Sequence, residues 1–321
     1  MPVSIEQIAD VLRGADSVLL VAHVNPDADA LGSTLATAIA LETLRVPVRV
    51  TFPDDPFELP AGLRFLPRQD LLVDPALARA DVVMSMDASS PDRIGRLLPI
   101  GQVAAQFMAI DHHASFVPFA SINVCDAGQP ATGMLALDLI DALGVALTQD
   151  IATCLYAAIS SDTGSFRYPA TTPGAMRAAA RLMDTGIDFA GIAKAMFDTK
   201  SRQFIALQSA VMADLDVRTV AGYTVAIAQV PAQARQERGI GFTEVEALID
   251  AVRTVADVDV AVVLKEDDHG SWRVSSRSAG VADVGAVCTQ VGGGGHRLAA
   301  GFTGSDDAQE TLNRFLGALA A

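Results

Sequence analysis

Carboxylates and histidines recur in this 321-residue chain where buried strands and helices are predicted to end. They form four clusters: His23-Val24-Asn25-Pro26-Asp27-Ala28-Asp29, Asp87, Asp111-His112-His113 and Asp162. Carboxylate oxygens suit hard divalent cations, and imidazole nitrogen shifts the preference from Mg²⁺ toward Mn²⁺ or Fe²⁺. Together the clusters hold the side chains that a two-metal phosphoesterase needs.

The first two clusters also have ordinary structural explanations. Asp27 or Asp29 could cap the helix that follows, while His23 packs in the core. Asp87 ends an apolar strand, where its carboxylate could bridge two metals, but it could equally be a turn aspartate before Ser89-Ser90-Pro91. Neither cluster therefore predicts a metal site when it is taken alone.

The Asp111-His112-His113 triplet follows a predicted strand, and its adjacent histidines point in different directions. One histidine can therefore bind a metal while the other faces a substrate, and Asp111 could orient the ligand histidine by accepting a hydrogen bond. Five histidines occur in the chain, and three of them fall in the four clusters. Asp162, by contrast, could merely end its helix, a role that Thr163-Gly164 would serve equally well.

A glycine-rich segment, Gly292-Gly293-Gly294-Gly295-His296-Arg297, follows a predicted helix near the C-terminal end. Consecutive glycines let backbone N–H groups approach an anion closely, and His296 adds a donor. Arg277 could pair bidentately with a phosphate. The alternatives are a flexible linker and an isolated surface arginine, although the apolar residues 298–302 favour an ordered turn into a strand.

The clusters lie in a regular alternation of strands and helices. Ser4 and Gln7 form a capping box that begins an amphipathic helix, and short apolar runs follow as buried strands. The predicted strands are Ser17–Ala22, Val46–Phe52, Asp81–Met86, Val103–Ile110 and Phe119–Val124, with a helix over Ala30–Leu44. This pattern predicts a doubly wound, mainly parallel α/β sheet. Ligands bind at the carboxyl ends of such strands, so we expect His23, Asp87 and Asp111 to meet there.

The rest of the chain predicts a helical region and then a smaller α+β domain. Thr148 is a predicted N-cap, Pro173 a first helical position and Gly186 a C-cap. The predicted elements beyond them are a connecting helix over Ser201–Leu215, strands over Tyr223–Gln229, Val258–Lys265 and Trp272–Ser276, and helices over Thr243–Val255 and Asp306–Leu319. We expect a metal-bearing domain over residues 1–190, a linker helix region over 191–215 and a substrate-binding domain over 216–321, with a cleft between the two domains.

Composition excludes several classes of protein. A net charge of −15 argues against a protein that holds long nucleic acid by neutralising phosphates, and 5% aromatic residues leave few platforms for base stacking. The three cysteines form no CxxC pair, which predicts buried thiols in a reducing compartment. The N-terminus lacks the pattern of a signal peptide, and no run is long enough to span a membrane. We therefore expect a cytoplasmic protein.

Taken in order, these clusters resemble the DHH phosphoesterase superfamily, and their pairing with the glycine-histidine segment resembles its subfamily with a DHH-associated C-terminal domain. The resemblance spans nearly the whole chain and implies two divalent metal ions, with Mn²⁺ expected. The implied ligands are His23, Asp27 and Asp87 for one ion, and Asp29, Asp87, His112 and Asp162 for the other. The implied catalytic residues are Asp87, His112 and His113, and the substrate-binding residues are His113, Arg277, Ser278, Gly294, Gly295 and His296.

The layout is similar to that of small bacterial oligoribonucleases that also act as 3′-phosphoadenosine 5′-phosphate phosphatases, some of which hydrolyse cyclic di-AMP. The resemblance therefore implies hydrolysis of cyclic and linear di-AMP, short RNA and 3′-phosphoadenosine 5′-phosphate to mononucleotides, through a metal-activated hydroxide. It also implies a homodimer. The alternatives are an inorganic pyrophosphatase or exopolyphosphatase and a non-catalytic nucleotide sensor.

Overall fold

Apolar runs in the first part of the chain form a five-stranded parallel sheet, as their alternation with helices predicts. The structure is a computed structural model that describes residues 4–305 and 307–321. The strand order is β2-β1-β3-β4-β5, and every neighbouring pair is parallel. The strands are β1 (Val18–Val21), β2 (Val48–Thr51), β3 (Val82–Met86), β4 (Gln106–Asp111) and β5 (Ile122–Cys125). Their carboxyl ends therefore share one edge of the sheet.

Helices cover both faces of this sheet. Leu20 and Met84 point into a large core on one face, whereas Leu19 and Val83 point into a smaller core on the other. The helices are α1 (Ile5–Arg13), α2 (Ala28–Thr43), α3 (Pro91–Ile94), α4 (Leu98–Val103), α5 (Thr132–Leu143), α6 (Gln149–Asp162), α7 (Pro173–Met183) and α8 (Phe189–Ala193). A π-helical turn over Lys194–Asp198 follows, and the first unit ends at Thr199. The predicted doubly wound α/β fold is confirmed.

The predictions for Gly186 and Cys125 in the first unit need correction. Gly186 is not a C-cap, because α7 ends at Met183 and is capped by Asp184, while Gly186 takes a left-handed φ of 84° in the following turn. Cys125 is exposed rather than buried, because it ends the edge strand β5, whereas Cys154 and Cys288 are buried as expected.

The second unit begins at Lys200 and contains a six-stranded mixed sheet in the order β10-β11-β9-β8-β7-β6. Strands β7 and β8 are parallel, and the other neighbours are antiparallel. The strands are β6 (Asp216–Val220), β7 (Tyr223–Val230), β8 (Val260–Glu266), β9 (Trp272–Ser278), β10 (Gly294–His296) and β11 (Ala299–Thr303). The helices are α9 (Arg202–Ala213), α10 (Ala232–Gln236), α11 (Leu248–Val252), α12 (Val284–Gln290) and α13 (Ala308–Leu319). The predicted residue Asp306 lies outside the described residues.

Sequence patterns were less informative in the second unit. The predicted helix Thr243–Val255 is a 3₁₀ segment, Phe242–Ala247, followed by the short α11. The glycine-rich segment forms strand β10 rather than only a turn, and a Cβ at Gly293 would lie 2.2 Å from the Gly301 carbonyl oxygen. The glycines thus allow a close approach of backbone. Among the residues that the structure describes, no helix is long and apolar enough to cross a membrane.

Candidate metal centre

The predicted metal ligands of the first unit all lie near the start or end of an element, at the edge where the strands have their carboxyl ends. His23 follows β1, and Asp87 directly follows β3. Asp27 is the N-cap of α2 and accepts a hydrogen bond from Ala30 N at 3.0 Å, and Asp162 ends α6. The local role that the sequence suggested for Asp27, helix capping, is therefore present alongside the cluster.

His23 faces two carboxylates. Its Nε2 lies 3.6 Å from Asp27 Oδ2 and 3.6 Å from Asp87 Oδ2. Its Nδ1 lies 2.8 Å from the Val24 carbonyl oxygen, to which a protonated Nδ1 donates. That bond leaves Nε2 with its lone pair directed between the carboxylates, which is the usual arrangement of a metal-binding histidine.

His112 is at the centre of a second group. Its Nε2 lies 3.6 Å from Asp29 Oδ2, 3.6 Å from Asp87 Oδ1 and 3.2 Å from Asp162 Oδ2. Its Nδ1 lies 3.2 Å from the Gln129 carbonyl oxygen, so the same tautomer presents Nε2 to the carboxylates. The structure thus brings together the four residues that the resemblance implied for the second ion.

Asp87 belongs to both groups and is almost completely buried, with 2% of its surface exposed. One carboxylate oxygen, Oδ2, faces His23, and the other, Oδ1, faces His112. Its backbone has a left-handed φ of 63°, and its N–H donates to the Ile110 carbonyl oxygen at 3.0 Å. The two carboxylate oxygens thus point toward the two groups, as those of a carboxylate that bridges two cations would.

The spacing of these atoms fits divalent metal ions. Donors bound to one ion at about 2.0–2.2 Å, with angles between octahedral and tetrahedral, are separated by about 2.8–3.6 Å. The distances from the two imidazole Nε2 atoms to the carboxylate oxygens range from 3.2 to 3.6 Å. Nitrogen and oxygen donors of this kind suit Mn²⁺, Fe²⁺ or Zn²⁺.

The negative charge of the buried carboxylates favours the binding of cations. Burial, and then the neighbouring charges of Asp87 and Asp162, raise the pKa of Asp29 well above its ordinary value. Burial, and then the charge of Asp27, also raise the pKa of Asp87. Carboxylates that repel one another in a buried site ionise together only when positive charge lies between them.

The pKa of His112 is raised by the same surplus of negative charge. Burial alone would lower its pKa, but the hydrogen bond with Asp162 and the charges of nearby carboxylates raise the pKa to about 11. Without a metal, the imidazole is therefore protonated at neutral pH. It must lose that proton before Nε2 can bind a cation.

His113 has a different environment from His112. Its Nδ1 lies 2.9 Å from Asp111 Oδ1, which also accepts a hydrogen bond from the His113 backbone N–H. We expected Asp111 to orient the metal-binding histidine. It instead orients His113, the histidine that is expected to face the substrate. The side chain of His113 is 19% exposed, compared with 3% for His112.

Two further residues contact the cluster and were missed from the sequence. Thr132 and Gly133, at the start of α5, donate their backbone N–H groups to Asp29 Oδ2 and Oδ1 at 2.7 and 2.8 Å. The Thr132 hydroxyl also donates to Asp87 Oδ1 at 2.8 Å. The sequence offers only a weak indication of their role, the short run Ala-Thr-Gly at the start of an apolar helix.

The predicted substrate-binding residues of the second unit lie on β9 and β10. Arg277 is paired in register with Ala299, which is paired in turn with His296, so these residues lie in one row across three strands. A Cβ at Gly295 would lie 2.6 Å from the Ala299 carbonyl oxygen, whereas Gly294 has open space beside it.

Ser278 has a structural role at the end of β9. Its Oγ accepts hydrogen bonds from Gly280 N at 3.2 Å and Ala282 N at 3.1 Å. These bonds hold the turn that leads into α12.

Both units of the chain match known protein domains. Residues 17–159 match the DHH family, N-terminal domain, and residues 222–321 match the DHHA1 domain. The bifunctional oligoribonuclease and PAP phosphatase NrnA of Thermus thermophilus is 32% identical over 92% of this chain and 87% of its own length. The protein of the same name from Bacillus subtilis is 26% identical over 89% of this chain and 88% of its own length.

Solved structures show the same fold. An exopolyphosphatase-related protein from Bacteroides fragilis superposes with a TM-score of 0.87 at 23% identity, covering 98% of this chain and 95% of that one. RecJ of Thermus thermophilus in complex with Mn²⁺ superposes with a TM-score of 0.58 at 15% identity, covering all of this chain and 55% of that one. From its two domains and its relatives, the chain belongs to the DHH family of phosphoesterases and carries the DHHA1 domain.

Proposed function

We propose that this protein hydrolyses small nucleotides to mononucleotides with two divalent metal ions, for which Mn²⁺ is the expected metal. The observation that carries the proposal is the Asp87 carboxylate, which presents one oxygen to His23 and the other to His112. The names of the Thermus thermophilus and Bacillus subtilis relatives support oligoribonucleotides and 3′-phosphoadenosine 5′-phosphate as the substrate class. We extend this class to cyclic and linear di-AMP, with AMP as the product.

The ligand sets are those that the resemblance implies, with Asp87 shared between them. With Asp87, the first ion would be held by His23 and Asp27, and the second by Asp29, His112 and Asp162. A bound pair of ions would polarise the phosphoryl group and lower the pKa of a nearby water. The protein's own task is to hold these ligands in a buried site, where the charges act on one another strongly.

His113 is suited to contact the substrate phosphate. Burial would lower its pKa, but the hydrogen bond to Asp111 and the charge of Asp87 raise it, which favours the protonated ring. Since Nδ1 is engaged by Asp111, Nε2 can donate to a phosphate oxygen. In the second unit, Arg277 and His296 are proposed to bind the nucleotide, and the backbone at Gly294 and Gly295 is proposed to approach it.

Neither alternative function has comparable support. The Thermus thermophilus and Bacillus subtilis relatives, which align over about nine-tenths of this chain, are named as oligoribonucleases and PAP phosphatases rather than as pyrophosphatases. A non-catalytic sensor would not require the complete set of paired histidines and carboxylates. We also propose that the protein is cytoplasmic and forms a homodimer. Sedimentation velocity of the purified chain would test the dimer.

Chromatographic product analysis tests the proposed activity. The full-length protein is incubated with Mn²⁺ and, separately, with cyclic di-AMP, linear di-AMP, a short oligoribonucleotide, 3′-phosphoadenosine 5′-phosphate and pyrophosphate. We expect mononucleotide products from nucleotides and little phosphate from pyrophosphate. Asp87→Asn should abolish turnover, whereas Asp92→Asn, which changes an exposed carboxylate on α3, should leave it unchanged.

Three other outcomes would contradict the proposed activity. Phosphate from pyrophosphate alone would favour a pyrophosphatase. Nucleotide binding without product in the presence of Mn²⁺ would favour a sensor. Full turnover by the Asp87→Asn protein would show that the cluster is not the catalytic centre.

A further inference from the structure

Thr132 contacts two of the proposed metal ligands at once. It is the first residue of α5 and is completely buried. Its N–H donates to Asp29 Oδ2 at 2.7 Å, and its hydroxyl donates to Asp87 Oδ1 at 2.8 Å. Asp29 belongs to the proposed second set of ligands alone, whereas Asp87 is shared by both, so this single residue links the two metal positions.

The backbone of Thr132 has a clear reason to face Asp29. The first N–H groups of a helix have no partner within the helix and favour negative charge. Asp29, from α2, satisfies the N–H groups of both Thr132 and Gly133 and thereby caps α5 from another helix. This contact fixes the position of α5 relative to the carboxylate cluster.

The hydroxyl has a separate role, because the carboxylate of Asp87 needs a defined rotation. The terminal torsion of an aspartate is broad, so the backbone alone leaves the plane of the carboxylate weakly fixed. Bridging requires one oxygen on the His23 side and one on the His112 side. The Thr132 hydroxyl holds Oδ1, the oxygen that lies 3.6 Å from His112 Nε2, and so leaves Oδ2 facing His23.

We propose that Thr132 is a positioning residue whose hydroxyl holds Asp87 in its bridging orientation and thereby sets the affinity for the second of two divalent ions. The proposal rests on the proposed function, because it takes the metal pair as given. Hydrogen-bond partners of metal ligands typically change metal affinity by about 10–100-fold when they are removed.

The test is a pair of variants of the full-length protein. Thr132→Val keeps the backbone N–H, the branched shape and nearly the same volume, and removes only the hydroxyl. Thr132→Ser keeps the hydroxyl and removes a methyl group. Isothermal titration with Mn²⁺ should show the second binding event weakened by about 10–100-fold in Thr132→Val and near the wild-type value in Thr132→Ser.

Electron paramagnetic resonance supplies a second readout that does not depend on activity. Two Mn²⁺ ions that share a carboxylate give a spin-coupled spectrum, so the wild-type and Thr132→Ser proteins should show it at two equivalents. Thr132→Val should show mainly isolated Mn²⁺ at the same loading. A coupled spectrum and wild-type affinity in Thr132→Val would overturn the proposal.

Thr37→Val is the matched control. Thr37 is also completely buried, and its hydroxyl donates to the Ser33 carbonyl oxygen at 2.8 Å rather than to a carboxylate. Equal weakening of Mn²⁺ binding in this variant would overturn the proposal, because the effect would then be a general cost of losing a buried hydroxyl. If Thr132→Val does not fold by circular dichroism, Thr132→Ala repeats the titration with a smaller side chain.

The wild-type titration separates this proposal from the proposed function. A wild-type protein that binds fewer than two Mn²⁺ ions would overturn the metal pair itself, and with it the role of Thr132. A protein that binds two ions and hydrolyses nucleotides, but whose Thr132→Val variant also binds two ions normally, would refute the role of Thr132 alone.

Discussion

At the scale of single residues, the carboxylate cluster concentrates negative charge where there is little water. Asp29 is fully buried and Asp87 is 2% exposed, and the two carboxylates act on each other strongly enough that charge repulsion adds to the rise in the pKa of Asp29. Such a group is unfavourable in the folded protein unless cations bind there. The arrangement therefore suits the metal-bound protein better than the metal-free one.

The pH dependence of metal binding follows from this arrangement. His112, with a pKa of about 11 in the metal-free protein, must release its proton before Nε2 can bind a metal. We therefore expect Mn²⁺ binding to release protons, and its affinity to fall as the pH falls, by about tenfold per pH unit for each proton released. Titration calorimetry in buffers with different ionisation enthalpies measures the released protons. A binding enthalpy independent of the buffer would contradict the expectation.

The identities of the histidines and carboxylates could be predicted because these residues are few and follow apolar strands. Which oxygen of Asp87 faces which histidine could not be predicted. That orientation depends on the hydroxyl of Thr132, which lies 45 residues away in the sequence. Thr132 is also an uncharged residue that no spacing rule distinguishes from an ordinary helix start.

At the scale of elements, the carboxyl edge of the sheet is completed by close helix packing. Helix α2, which carries Asp29, packs mainly on α6, which carries Asp162. Gly32 lies at this contact, and a Cβ there would lie 2.4 Å from the Cys154 carbonyl oxygen and 3.0 Å from the Ala158 Cβ. Because the closest atom belongs to the backbone of α6, a side-chain rotation cannot relieve the overlap.

We expect Gly32→Ala to destabilise the protein by about 1–3 kcal/mol and to weaken Mn²⁺ binding, since α2 and α6 must separate. Gly317→Ala is the control, because Gly317 lies in α13 and a Cβ there has open space. Removing a helical glycine there should be neutral or stabilise by up to about 1 kcal/mol. Urea unfolding of both variants measures the difference. Equal stability of the two proteins would show that the helix contact can adjust.

The first sheet could be predicted strand by strand because each strand is a nearly continuous apolar run between helices. Strand β6 could not, because Asp216–Val220 reads Asp-Val-Arg-Thr-Val and lies mostly exposed at the edge of its sheet. The helix that the sequence predicts over Thr243–Val255 begins as a 3₁₀ segment instead. Its 3₁₀ turns, over Phe242–Ala247, place Phe242 near Arg235, Lys265 and Arg273, contacts that no local pattern encodes.

At the scale of the whole molecule, two separate sets of cores stabilise the two units. The candidate metal ligands belong to the first unit. Ions that bind only the folded state stabilise it by about 2.7 kcal/mol at a concentration one hundred times the Kd. Metal removal should therefore act on the first unit rather than on the second.

Differential scanning calorimetry tests this expectation. EDTA should lower the midpoint of the unfolding transition that contains the first unit, and Mn²⁺ should restore it. In Asp87→Asn, the midpoint should no longer respond to Mn²⁺. An equal response in wild-type and variant proteins would mean that Mn²⁺ stabilises the protein through another site.

The left-handed backbone of Asp87 has a consequence for natural variation at this position. At a φ of 63°, aspartate, asparagine and glycine are tolerated, whereas a branched or bulky residue is strained by about 1–3 kcal/mol. Of the tolerated residues, only aspartate supplies two anionic oxygens. Backbone geometry and metal chemistry thus restrict the position from two independent directions, and a single-base change that preserves the fold would still inactivate the centre.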